Sequence, residues 1–154
     1  MEMIVVIVLI GIVFSIGATL LGQIFTAYFT TRDIEDADWQ GLIALERISR
    51  DLRELRTAAD LNTTFPTANA LSFTDRYGSL VEYSLNGTAL VRSTDGTAYT
   101  LADSIGGLSF AYLQSDGQTA ATGAANTSYI TLRLQVTADN YSDTLRLTIQ
   151  PRIY

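Results

Sequence analysis

Met3–Phe29 reads MIVVIVLIGIVFSIGATLLGQIFTAYF, 27 residues without a charged side chain and most of them apolar. About 20 such residues in helical form cross a bilayer core. Val and Ile dominate, which in water would suit a strand. In lipid, however, every backbone N–H and C=O must be satisfied within the segment, so helix is expected. The run is longer than the apolar core of a secretory signal and no basic stretch precedes it, which argues against a cleaved signal peptide. Gly11, Gly17 and Gly22 are the soft points of this helix, because glycine costs about 1 kcal/mol relative to alanine in a helix interior.

The segment Thr31–Asp60 continues without proline. Leu45, Ile48, Leu52, Leu55 and Ala59 recur at three- and four-residue spacing, the stripe of an amphipathic helix. Glu46–Arg50, Arg47–Asp51 and Arg50–Glu54 stand four residues apart as pairs on its wet face. One helix from about Met3 to about Ala59 is therefore expected, apolar all round in its first half and along one face in its second. At 1.5 Å per residue it would run ~80 Å, more than a membrane needs.

Beyond Phe65-Pro66 the period changes from 3.6 to 2. Strands are expected at Ala70–Thr74, Leu80–Leu85, Ala89–Ser93, Leu108–Gln114, Tyr129–Val136 and Thr144–Gln150. Ile130, Leu132, Leu134 and Val136 alternate with polar neighbours, the mark of half-buried antiparallel strands. Asn86-Gly87 reads as a type I′ hairpin turn. Asp95-Gly96 and Asp116-Gly117 mark further turns, and Gly117–Ser128 reads as a surface loop. The helix and the strands each have one apolar face, and each is the other's nearest partner. The expected fold is α+β: an apolar membrane or filament helix over residues 1–30, then a globular domain over 31–154, in which helix 31–60 packs on an antiparallel sheet within 70–154.

Composition narrows the function. The chain has 154 residues, a net charge of −6 and ten cationic residues, all arginine. An acidic chain with no basic cluster outside one helix is a poor nucleic-acid binder, and no nucleic acid is expected as a partner. There is no Cys and no His, which removes thiolate and imidazole metal sites and His-based triads. Asp139 and Asp143 read as turn residues rather than an acid/base pair. No catalytic residue, cofactor or metal is expected.

The N-terminal stretch Glu2-Met3-Ile4-Val5-Val6-Ile7-Val8-Leu9-Ile10-Gly11 resembles the mature N-terminus of type IV pilins and type II secretion pseudopilins, where a lone glutamate opens an apolar helix with a glycine nine residues on. Leu45–Arg53, Leu80–Leu85 before Asn86-Gly87, Leu90-Val91-Arg92, and Leu108–Tyr112 before Asp116-Gly117 are similar to the larger minor pilins and pseudopilins, the J-type and PilW-like group. The resemblance implies a minor subunit of a pilus or secretion pseudopilus, or alternatively a major pilin. It implies other pilin subunits, the inner membrane, a prepilin peptidase and an assembly platform as partners. Glu2 would pair with the amine of a neighbouring subunit, and Gly11, Gly17 and Gly22 would lie in the assembly helix. The globular domain would stand outside the cytoplasm.

The chain departs from the family in two ways. Met1 sits where the fourth mature residue would be, so leader processing and N-methylation are not read from these residues. Thr19 stands where many pilins carry a helix proline, leaving Gly17 or Gly22 as the places for local melting.

Further readings concern charge, aromatic side chains, display and glycosylation. Asp33, Glu35, Asp36 and Asp38 precede Arg47, Arg50, Arg53 and Arg56 on the helix, and staggered subunits would set one segment against the other; the alternative is two solvated faces with local pairs. Phe14, Phe25, Tyr28 and Phe29 read as packing residues and an interfacial aromatic belt. A different class of function is a binding module displayed on a signal-anchor without polymerising. The four Asn-x-Ser/Thr sites, at Asn62, Asn86, Asn126 and Asn140, permit glycosylation.

Overall fold

The computed structural model describes residues 2–151, with the Glu2 side chain outside the described set. The fold is α+β, with one long N-terminal helix packed against two antiparallel sheets. The chain divides into two compact units, Met1–Glu35 and Asp36–Tyr154.

The helix α1 spans Glu2–Arg53. Gly11, Gly17 and Gly22 do not interrupt it. The hydroxyls of Thr19, Thr26 and Thr31 donate back to the carbonyls of Ser15, Gly22 and Ala27 at 2.9–3.0 Å. These three hydroxyls thus find acceptors inside the helix itself, as a lipid environment favours.

Among the described residues eight strands follow: β1 Thr67–Ala68, β2 Leu71–Thr74, β3 Leu80–Asn86, β4 Ala89–Thr94, β5 Thr97–Ala102, β6 Ile105–Leu113, β7 Tyr129–Ala138 and β8 Tyr141–Ile149. They form two four-stranded sheets rather than one, ordered β1-β6-β7-β8 and β2-β3-β4-β5. The alternation in β7 follows the sequence pattern at its centre: Ile130, Leu132, Leu134 and Val136 are fully buried and Arg133 and Gln135 are exposed, but Thr131 on the polar side is buried too.

Within Asp36–Tyr154, α1 lays a buried stripe of Ala37, Gly41, Ala44, Ile48 and Leu52 on the sheets. The stripe begins two turns earlier than the leucine pattern suggests, because its first members are small. A Cβ on Gly41 would stand 2.6 Å from Val136 Cγ2 and 3.0 Å from Leu145 Cδ1. Glycine is what lets the helix backbone approach β7 and β8 this closely. Leu45 is half-buried and Ala59 is exposed, so neither belongs to the stripe proper.

The helix ends at Arg53, not near Ala59. Leu55 is buried as its spacing requires, but its backbone pairs with Asp75. Thr57 opens a separate 3-10 turn, Ala58–Asp60, whose Asp60 carboxylate accepts from the Thr57 amide at 2.9 Å and hydroxyl at 2.8 Å. The hydrophobic period runs past the end because Leu55 and Leu61 reach the core from extended backbone. Leu61 then pairs with Phe73, extending the edge of β2.

Three turns refine the expected register. Asn86 pairs with Ala89, so the β3–β4 loop is Gly87-Thr88 with positive φ at Gly87. That is the pattern of a II′ turn, shifted by one residue from the expected I′ turn on Asn86-Gly87. Asp95-Gly96 does form a I′-like loop, with φ of 50° and 82° and Thr94 paired to Thr97. Asp139-Asn140 closes β7–β8, but Asp143 lies inside β8 rather than in the turn.

Candidate functional site

The apolar helix is the first candidate. From Met3 to Phe29 every residue except Gly17 is exposed. An 18-residue window within the helix reaches a mean hydropathy of 2.9 with none of it buried. The chain therefore has one N-terminal helix long and apolar enough to span a membrane. A soluble domain rarely leaves so large an apolar surface uncovered. A Cβ on Gly11, Gly17 or Gly22 would meet nothing within 4 Å, so the chain's own packing makes no use of their small size. Leu9, Ile10, Val13, Phe14, Gly17, Ala18 and Leu21 line a shallow apolar groove of about 450 Å³ on one face. The rings of Tyr28 and Phe29 meet edge-on at 5.8 Å. The Glu2 side chain, singled out for subunit pairing, lies outside the described residues.

The charged segments resolve into local structure. Asp33, Glu35 and Asp36 are exposed on α1. Asp38 is not a free surface charge, since its Oδ2 accepts from the Tyr141 hydroxyl at 3.1 Å and its Oδ1 is buried. Two of the three expected helix pairs form: Arg50 reaches Glu46 at 3.4 Å and Arg47 reaches Asp51 at 3.2 Å. The third does not, because Arg50 turns back to Glu46 and the helix stops before Glu54. Arg56 lies beyond the helix and pairs with Asp60 at 3.4 Å. Arg53 is exposed in the last turn.

Asp51 has a larger role than a wet-face pair. It is buried, accepts from Tyr83 Oη and Arg92 Nε at 2.7 Å each, and faces Arg47 on its other oxygen. The Arg47 Nε lies close to that oxygen but off the hydrogen-bond axis. The cluster joins α1 to β3 and β4 through one carboxylate and two cations. Burial, then the neighbouring carboxylate, pushes the Tyr83 hydroxyl well above the usual tyrosine range. Burial works to lower Arg92, but its bonds to Asp51 and Tyr83 win and the net shift is upward. The one-dimensional pattern marks Asp51 only by spacing: it stands three residues after Ile48 and four before Leu55, on the side of the expected apolar stripe.

A second candidate lies on the outer face of the sheet β2-β3-β4-β5. Ser72 stands opposite Glu82, and Glu82 opposite Ser93. Asn62 lies beyond Ser72, its amide donating to the Ser72 carbonyl at 2.8 Å. The segment 62–70 rises beside this row and makes an open groove of about 640 Å³. Thr63 anchors the wall by bonding the Tyr112 hydroxyl at 2.9 Å. Among the described residues, no cluster of three or more acidic side chains is placed to hold a metal ion.

These features define a class: an α+β protein with one membrane-length N-terminal helix whose continuation forms part of a β-domain core. No protein-family model matches the chain, and no curated protein matches it.

Proposed function

We propose that this chain is a non-enzymatic, membrane-inserted subunit of a type IV pilus or type II secretion pseudopilus, a minor rather than a major component. The observation that carries the reading is the uncovered apolar helix, ~40 Å long from Met3 to Phe29 at 1.5 Å per residue and exposed along its length. It is longer than the ~30 Å hydrocarbon core demands. Three further features support it. The Glu2–Gly11 spacing resembles the pilin N-terminus. The glycines weaken the helix without serving the chain's own packing, while small residues let helices approach closely where lipid surrounds them. The same helix continues into the β-domain core, so an assembled helix would carry its domain with it.

On this reading the subunit rests in the inner membrane with its β domain outside the cytoplasm until neighbouring helices replace lipid. A prepilin peptidase and an assembly platform would act on it, and Glu2 would pair with a neighbour's terminal amine. A carboxylate leaving the headgroups for an apolar core needs such a partner.

The chain contains no cysteine, which makes a crosslinking test clean. Ile10→Cys and Leu21→Cys stand three turns apart on one helical face. In the double variant, oxidised in the native cell envelope, copies crosslink where their helices meet, and the chain enters the sheared surface or periplasmic filament fraction. Monomer confined to the membrane fraction would replace the filament reading with a displayed, anchored module. Adding Glu2→Gln should lower incorporation without changing membrane insertion; unchanged incorporation removes the charge-pairing role.

A further inference from the structure

We infer that the groove between segment 62–70 and the outer face of β2-β3-β4 is a binding site for a neutral saccharide. This site is separate from the apolar helix and does not rest on the filament reading.

Register is the first argument. Asn62, Ser72, Glu82 and Ser93 form one row across four neighbouring chain segments, so their side chains project to the same side at adjacent-strand spacing, about 5 Å apart. Their strand neighbours Leu71, Phe73, Val81 and Tyr83 are buried on the opposite face. The row is therefore fixed by the core beneath it. Ser84 on the floor and Asn69 on the wall continue the polar lining.

Glu82 is the second argument. It is half-buried on the floor of the groove. Its cross-strand neighbours are serines, and among the described residues no cation pairs with it. Asp51 is matched by two arginines and a tyrosine, and Asp60 by Arg56 and Thr57, although Asp38 also keeps one buried oxygen without a partner. A half-buried carboxylate without a protein donor is an acceptor that a ligand can satisfy.

The lining then selects the ligand. The groove contains hydroxyls and amides, which both donate and accept, and one carboxylate, which only accepts. It contains no arginine, so a phosphate or carboxylate ligand would meet repulsion without compensation. A vicinal diol offers two O–H donors to the two Glu82 oxygens and leaves its own oxygens for Asn and Ser donors. Its volume of about 640 Å³ lies inside the range of ligand sites, roughly 300–1,000 Å³. A small ammonium would use Glu82 but leave most of that lining unmatched. The Tyr83 ring faces the core, so no aromatic platform adds stacking. Millimolar rather than micromolar binding follows.

The test uses the full chain in a detergent without a sugar headgroup. Lactose, maltose and chitobiose are offered at millimolar concentration, and saturation-transfer difference NMR reads binding. At least one should receive saturation. Glu82→Gln should weaken it at least tenfold, because charge-assisted hydrogen bonds are about twice as strong as neutral ones. Thr100→Ala, exposed on the same sheet and outside the groove lining, should leave it unchanged. Near-UV circular dichroism checks that each variant keeps its core. The proposal is overturned if a folded chain gives no transfer to any of the three sugars, or if Glu82→Gln binds them equally. It is also overturned if butylammonium binds through Glu82 while the sugars do not.

Discussion

Asp51 shows how one carboxylate can join a helix to a sheet. Its oxygens face Tyr83, Arg92 and Arg47, and Arg92 is only 19% exposed. Asp51→Asn keeps the shape and removes the charge, leaving two arginines near the core without a counterion. Breaking a buried pair by removing one partner costs about 3–5 kcal/mol; Arg47 and Arg92 retain water access, so a loss of about 2–4 kcal/mol is expected in urea unfolding. Tyr83→Phe removes one hydrogen bond and should cost nearer 1 kcal/mol. Equal losses from the two variants would show that the charge contributes nothing beyond the bond. The buried hydroxyls also set an alkaline limit. Desolvation pushes Tyr112 up to about 12 against the bond from Thr63, and Tyr83 is raised further. Unfolded, both lose their protons near the ordinary 10.0. Above that pH the unfolded state binds fewer protons than the folded one, so stability is intact below pH 10 and falls as pH rises toward 12. The slope should be about 1.4 kcal/mol per pH unit for each tyrosine. The unfolding free energy of the parent, from urea curves between pH 10 and 12, should therefore fall with pH, and Tyr112→Phe should lose about half that slope.

At the scale of elements, legibility followed the size of the side chains. The strands that carry large alternating residues, β3 and β7 above all, stand out in the sequence because one face is fully buried. The strand β5, Thr97–Ala102, does not: it is an edge strand, and four of its six residues are exposed, so no alternation is imposed on it. The two-residue β1 is too short to carry a pattern. The helix–sheet contact was half legible. Ile48 and Leu52 announce it, whereas Ala37, Gly41 and Ala44 do not, because close backbone approach selects small residues that look neutral. The polar row of Asn62, Ser72, Glu82 and Ser93 was hidden for a different reason: it exists only once the strand register is known. Gly41 gives the sharpest check of the contact. Gly41→Ala adds about 1 kcal/mol of helix propensity, yet its methyl would meet the fully buried Val136 at 2.6 Å. Val136 is β-branched and sits in a paired strand, so it has little room to rotate. Overpacking costs about 1–3 kcal/mol, and a net destabilisation of about 1–2 kcal/mol should appear as a lower urea midpoint. A stabilised Gly41→Ala would mean that the helix can lift from β7 without loss.

For the whole molecule, the division of labour along α1 makes a prediction about independence. Among the described residues, every buried hydrophobic side chain, from Ala37 to Ile149, lies within Asp36–Tyr154. The first 35 residues contribute none of them. What they add is apolar surface that the chain itself leaves uncovered. A chain beginning at Asp36 would cut the helix just before its first core contact. The new terminus would carry Asp36 and Asp38 in its first turn, where carboxylates oppose the positive end of the helix dipole and stabilise by about 0.3–1 kcal/mol each. The remaining helix, Asp36–Arg53, would keep its packing on both sheets, which matters more for a helix of this length than intrinsic propensity does. The fragment 36–154 should therefore be soluble without detergent, with a urea midpoint close to that of the β domain in the detergent-solubilised parent. It should remain monomeric in sedimentation, because the surface proposed for assembly has been removed. A fragment that unfolds would show that residues 1–35 support the β domain directly. One that stays folded but self-associates would move the assembly surface from the apolar helix onto the exposed side of 36–53, where Trp39, Leu42 and Ile43 are 65%, 50% and 44% exposed.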